Sequence, residues 1–311
     1  MAGLARDSSN VDMELGAEYY NQFAVGGVSI RLTSKDDAAV TLVPALLPFQ
    51  AESEASDITI RIEWLDKLLP APASPLFDSG SVWRLFEDAP GFQFDFSAPA
   101  FGSRPYKRLL VDSCFSDATL QMSEEASQAC PHITPLDYPL DELLIMHRLT
   151  QQKAIELHAC AIVQADGSGN LFVGHSGAGK STTTRLWISH EEVKVLSDDR
   201  IIVRSDRSKS GSGVRMYGTP WHGEAMHASP ESATLRRIFI LEHGAGNAII
   251  PLSPSQAVAE LFARSLVPFH RHEYVDSALD FLQELVEVVP CYRYAFEPKQ
   301  SAVETVRDFC D

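Results

Sequence analysis

Apolar and polar positions alternate over short distances through the first third of the chain and then change period. Between Tyr19 and Met122 the apolar residues come in runs of about half a dozen. The segments are Ala24–Leu32 broken by Gly26-Gly27, Asp57–Ile62 with strict alternation, Val82–Phe86, Phe92–Phe96, Arg108–Val111 and Ala118–Met122. Period-two spacing with turn residues between runs predicts strands, so residues 1–135 are expected to form a β-rich N-terminal lobe. Its first 15 residues are polar and expected to be disordered. Pro70, Pro72 and Pro75 mark a loop.

Residues 131–139 read as a hinge, and 136–311 as a second lobe with helical and strand periods interleaved. Pro139 followed by Asp141 and Glu142 is a helix-start signal for 139–149. His147 on that helix reads as a surface or packing residue rather than as chemistry. Ile155–Val163 is a strand, 165–170 a polar turn, and Leu171–Val173 an apolar run entering a glycine-rich loop. So short a turn makes the two strands an antiparallel hairpin, which brings His158 near Gly174. Val193–Leu196 is a further strand ending at Asp198-Asp199. If it runs parallel to 171–173, both strands end on one edge of the sheet. Val214–Tyr217 follows a polar tip at 205–213. Leu235–Leu241 and Ala248–Leu252 read as a strand pair, 255–267 and 276–289 as amphipathic helices, and 291–296 as a last strand before a C-terminal helix.

The loop itself, Gly174-His175-Ser176-Gly177-Ala178-Gly179-Lys180-Ser181, satisfies G-x-x-x-x-G-K-[ST] at every required position. In such a loop the backbone N–H groups surround phosphate oxygens. Lys180 reaches the β/γ-phosphates and Ser181 ligates Mg²⁺. A helix opening at Ser181-Thr182 adds its N-terminal dipole to the anion site. These residues predict a nucleoside triphosphate and Mg²⁺ as ligands, ATP being the simplest choice. Asp198 and Asp199 at the end of a neighbouring strand suit the other half of phosphoryl transfer. One carboxylate can hold the metal and one can take the acceptor's proton. Asp198 and Ser181 are the candidates for the metal, and Asp198, Asp199, His158 and Lys180 form the candidate catalytic set, the division of tasks between the two aspartates staying open.

The order H-A-C-A-I-V, hairpin, G-H-S-G-A-G-K-S-T, helix, V-L-S-D-D resembles the catalytic domain of the HPr kinase/phosphorylase family. That family is related to phosphoenolpyruvate carboxykinase. The resemblance is specific over Ile155–Val203 and looser beyond. It implies a mixed-sheet P-loop kinase lobe and ATP-dependent phosphorylation of a hydroxyl, either a serine of a protein or peptide or a small molecule. It also implies that an aspartate activates the acceptor. Thr182 stands where the family carries glutamate, and Leu241–Gly246 lacks the family's E-x-R-G-x-G pattern, so HPr itself is not the expected acceptor. Two other readings compete: carboxykinase-like chemistry on a small acid, and a nucleotide-gated binding module without transfer.

Composition narrows the classes further. The chain has 311 residues, 45% of them apolar, and a formal net charge of −16. Such a field repels nucleic acid and anionic membranes, so any triphosphate site has to be local. Five scattered cysteines without C-x-x-C spacing read as reduced thiols. No apolar leader or membrane-length run is visible, and the expected location is cytoplasmic. A homo-oligomer is compatible with the sequence. Within 217–224, Trp221 and His222 lie in a glycine- and proline-flanked loop. It reads equally as a pocket wall and as a turn packing Trp221 on the core.

Overall fold

The structure, a computed structural model, describes residues 18–71, 74–102, 104–190, 192–206 and 213–310. The expected disordered segment 1–15 and most of the polar tip 205–213 lie outside them. The architecture is mixed α/β, built on two sheets.

The first sheet has the order β1-β2-β3-β8-β7-β6-β5-β4. Its strands are β1 (Tyr19–Val25), β2 (Val28–Ser34), β3 (Ile58–Leu65), β4 (Phe77–Asp78), β5 (Trp83–Asp88), β6 (Gly91–Phe96), β7 (Lys107–Asp112) and β8 (Asp117–Ser123). The alternation read from the sequence reappears as burial. In β2 every second residue from Val28 is buried and the ones between are half-buried. Short helix α1 (Glu124–Ala129) starts at Ser123, whose side chain accepts from the Ala126 N–H.

Helix α2 (Leu140–Leu149) follows Pro139, which sits at the N-cap just outside the first helical residue. Its apolar side, Leu140, Leu143, Leu144, Ile145 and Leu149, joins the core of the first sheet together with Phe92, Phe94 and Phe115. Ile202 and Trp221 of the second lobe enter the same cluster. The two lobes therefore share apolar packing. His147 is fully buried there, stacked on Phe115 at 4.4 Å.

The second sheet comprises β9 (Ala154–Val163), β10 (Ser168–Val173), β11 (Lys194–Ser197), β12 (Arg200–Ser205), β13 (Val214–Tyr217), β14 (Ser232–His243), β15 (Ala248–Pro251), β16 (Ser265–Leu266) and β17 (Cys291–Phe296). Strand β9 organises it. β10 pairs antiparallel with its second half, Ala159–Val163, as the short turn requires. β11 pairs with Ala161–Val163 on the opposite flank, so β10 and β11 run the same way with β9 between them. β12 and β13 follow, and β13 pairs with β14, which in turn pairs parallel with β10. The path β10-β9-β12-β13-β14 thus closes on itself into a small ring, while β17 and then β15 extend from β14. Full closure removes edges within the ring.

Alternate faces of β9 feed two apolar layers. Ile155, Leu157, Ala159 and Ala161 pack with α4 (Pro254–Phe262) and α5 (His272–Val288). Cys160 and Ile162 pack with Trp187 of α3 (Lys180–Ile188) and with Val303 and Val306 of α6 (Ser301–Asp308).

Several sequence expectations are corrected. The strand at 194–197 ends at the aspartates, as expected, but the chain does not leave the sheet there. After a two-residue break it resumes as β12, pairing with Ala154–His158 further down β9. Strands β14 and β15 are not partners; both flank β17, one parallel and one antiparallel. The expected helix 255–267 stops at Phe262 and yields to β16, which pairs with Glu156 and Leu157 of β9. Helix α5 begins at His272 rather than 276.

Candidate active site

Strand β10 delivers Val173 to the mouth of the glycine loop halfway along β9, and the Gly174 N–H donates to the His158 carbonyl at 3.2 Å. The loop then turns through two left-handed glycines, Gly177 (φ +80) and Gly179 (φ +104). Gly179 caps the N-terminus of α3. A Cβ there would lie 2.6 Å from Cζ of Phe296, so both its dihedral and its surroundings demand glycine. A Cβ on Gly177 would meet nothing within 4 Å. His243, at the end of β14, supports the loop from outside, its Nε2 lying 2.8 Å from the accepting Gly177 carbonyl.

Lys180 is buried, and its ammonium donates to the carbonyls of Gly174 and His175 at 3.0 and 3.1 Å. Burial pushes its pKa down, opposed by the charge of Asp199. Ser181 and Thr182 are half-buried in the first turn of α3. With His158, Ser176, Gly177, Gly179, Lys180, Arg185, Asp199, Gly223 and Glu224 they line a cleft of about 260 Å³. His175 and Ser176 are exposed, and Gly174 and Ala178 form the base of the loop, where a Cβ on Gly174 would touch the Ala178 methyl at 2.7 Å.

The break between β11 and β12 treats its two aspartates differently. Asp199 faces the cleft. Its Oδ1 lies 2.9 Å from His158 Nε2, and its Oδ2 accepts from Arg200 Nη1 at 2.5 Å. Burial works to raise its pKa. The His158 hydrogen bond and the charges of Arg200, His158 and Lys180 together outweigh burial and hold the carboxyl below its ordinary value. Asp198 is fully buried and turned the other way. Its Oδ1 accepts from the N–H groups of Gly223 (3.0 Å) and His227 (3.2 Å), and its Oδ2 from Ala225 (2.7 Å). It does not line the cleft. The structure does not bring Asp198 into the cleft with Lys180 and Asp199: backbone amides occupy its carboxylate, which anchors the 223–227 loop.

That loop forms the far wall. Gly223 and Glu224 face the phosphate loop, with Glu224 Oε2 3.9 Å from Arg185 Nη2 of α3. Trp221 takes the packing alternative, buried in the shared core with its Nε1 donating to Asp141 Oδ2 at 3.0 Å. His222 is exposed. Two other arginines of the lobe are engaged elsewhere: Arg215 donates to Ser232, and Arg236 approaches Asp166 at 3.8 Å.

Four residues that sequence reasoning passed over complete the site. Arg200 directly follows the aspartates, and its Nε donates to Glu142 Oε1 at 3.2 Å and lies 3.8 Å from Glu156 Oε1. Glu156 is fully buried and Glu142 nearly so. Burial raises the pKa of both, and for Glu156 the neighbouring Glu142 charge raises it further, well above the carboxylate range. Glu156 was detectable in principle: it is the one acid in a strand, Ala154–Val163, that is apolar apart from it and His158. His243, the fourth, had no local signal, because its contact with the loop joins residues 66 positions apart.

Among the described residues no group of three or more His, Cys, Asp or Glu is arranged to hold a metal, all five cysteines are free, and no helix is long and apolar enough to cross a membrane. A scan against protein-family models gave no match, and neither did a search of curated proteins.

Proposed function

We propose that this protein is an ATP- and Mg²⁺-dependent phosphotransferase that phosphorylates a hydroxyl acceptor, and that its second lobe is of the HPr kinase type. One observation carries the reading. A glycine loop that matches the phosphate-loop pattern at every required position opens into a cleft lined also by Asp199, whose carboxylate is hydrogen-bonded to His158.

Phosphoryl transfer needs positioning and charge stabilisation more than covalent chemistry. The loop N–H groups and the α3 dipole would hold the phosphate tail. Lys180, released from the two loop carbonyls it now serves, would neutralise the transferring group. Ser181 suits Mg²⁺, a cation that keeps several waters and leans on substrate phosphates rather than on an all-protein cage; when bound, the ion supplies charge neutralisation at the phosphates. Asp199, kept ionised by His158 and Arg200, would orient the acceptor hydroxyl and take its proton as the bond to phosphorus forms. A carboxylate with a lowered pKa is a weak base, which suits proton transfer late in a loose transition state.

The test uses γ-labelled ATP with serine peptides and small hydroxyl compounds. Label should appear on an acceptor and vanish with Lys180→Ala. Label found only in free phosphate across a broad screen would instead support the nucleotide-gated binding module.

A further inference from the structure

We infer that Arg200 is a positioning residue for Asp199, held in place by Glu142 of helix α2, so that the lobe packed on α2 sets the geometry of the cleft. The inference rests on the phosphotransferase reading for its kinetic consequence, but the hydrogen-bonded chain itself does not depend on it.

The chain is continuous. Asp199 has both oxygens committed, one to His158 and one to Arg200, so its carboxylate plane is fixed. Arg200 uses opposite edges of its guanidinium: Nη1 toward Asp199, Nε toward Glu142. A planar fork bonded on two sides cannot rotate without losing one of them. Its side chain is only 20% exposed, so water is a poor substitute for either partner. The groups that act on it are Asp199 beside it on the chain, Glu156 on β9 and Glu142 on α2, with Tyr138 and Lys180 also within electrostatic reach. Among the described residues, Glu142 is thus its one hydrogen-bonded side chain on an element outside the second sheet.

Helix α2 belongs by its packing to the core of the first sheet. Its two first-turn acids, read from sequence as part of a helix-start signal, are both buried. Glu142 reaches Arg200, and Asp141 accepts from Trp221 of the loop that walls the cleft. A shift of α2 therefore moves the base and the far wall together. Held from behind by Glu142, the guanidinium is a strut and not a phosphate ligand.

The experiment compares Arg200→Met, Arg200→Lys and Glu142→Gln with the unaltered protein, using phosphate release from Mg-ATP and binding of a non-hydrolysable ATP analogue. Misplacing a reacting group by about an ångström costs roughly 10²-fold, so Arg200→Met should lose release by that order while the analogue's Kd stays unchanged. Arg200→Lys should recover part of the loss, and Glu142→Gln should lose an intermediate amount. A parallel loss of analogue binding would make Arg200 a phosphate ligand and overturn the inference, as would full release by either Arg200→Met or Glu142→Gln. A second readout needs no turnover. The Arg200 Nε–H signal in ¹⁵N NMR should be protected from exchange in the full-length protein and lose that protection in Glu142→Gln. Retained protection would sink the strut. Absence from the unaltered protein of both phosphate release and label transfer to any acceptor would count against the proposed function alone, with the NMR result still deciding the strut.

Discussion

Asp198 keeps its carboxylate inside a ring of backbone amides, while Asp199 shares its own with an imidazole and a guanidinium. Adjacent residues on a broken strand point to opposite sides, and the two substitutions should separate cleanly. Asp199→Asn keeps the shape and removes the base; transfer should fall by about 10²–10⁴ with ATP-analogue binding retained, as measured by single-turnover labelling and titration calorimetry. Asp198→Ala leaves three N–H groups without an acceptor at a buried site. Losing such partners costs about 1–3 kcal/mol per group left dry, less where water reaches. A loss of about 3 kcal/mol in urea denaturation is expected, with hydrogen exchange at Gly223, Ala225 and His227 accelerated. Unchanged protection at those amides would refute the anchoring role.

The glycine loop is the element most constrained by local geometry. Gly179→Ala meets both a left-handed dihedral and the Phe296 ring, whereas Gly177→Ala meets only the dihedral. A left-handed backbone costs a non-glycine residue about 1–2 kcal/mol. Gly177→Ala should therefore weaken nucleotide binding mildly, while Gly179→Ala should abolish it; the order is checked by analogue titration of the two variants. This element was legible because its signal is contiguous: every required residue lies between Gly174 and Ser181. The hairpin of β9 and β10 was legible for the same reason. Strand β12 was not, since Arg200–Ser205 follows the aspartates with no glycine or proline to announce a new strand. The pairing of β10 with β14, and the flanking of β17 by β14 and β15, are contacts between distant segments that no local pattern encodes. The burial of Asp141 and Glu142 was hidden by a second meaning of the same letters, because acids in a helix's first turn are ordinarily solvated and favoured by its dipole.

Across the whole molecule, buried titratable groups of opposite sign oppose one another. His147 is fully buried, with its pKa pushed down to about 3 by burial, and His270 is lowered to about 4, again chiefly by burial. Both are neutral in the folded chain. The unfolded chain binds more protons between those values and about 6.5, so these groups lose stability as pH falls through that window. Burial raises Asp141 to about 6 and raises Glu142 and Glu156 as well. Those carboxyls stay protonated longer in the folded state, so they lose stability as pH rises above their unfolded values. Each group contributes a slope of at most about 1.4 kcal/mol per pH unit. Relative to the unaltered protein, His147→Leu should gain in relative stability as pH falls from 6.5 to 4.5, and Glu156→Gln should gain as pH rises from 5 to 8. Urea midpoints measured across this range check both signs.

The five-membered ring of strands that carries Lys180, His158 and Asp199 has a further consequence. A hoop closed by its own ladder bonds cannot slide one stave past another without breaking a whole row at once, so the chassis beneath the reacting groups is stiff by construction. Whatever breathing a catalytic cycle requires is left to the parts perched on its rim, the glycine turn above β10 and the amide-tethered segment opposite. Those two lips should account for nearly all the displacement when vacant and nucleotide-filled crystals are superposed on the strands below.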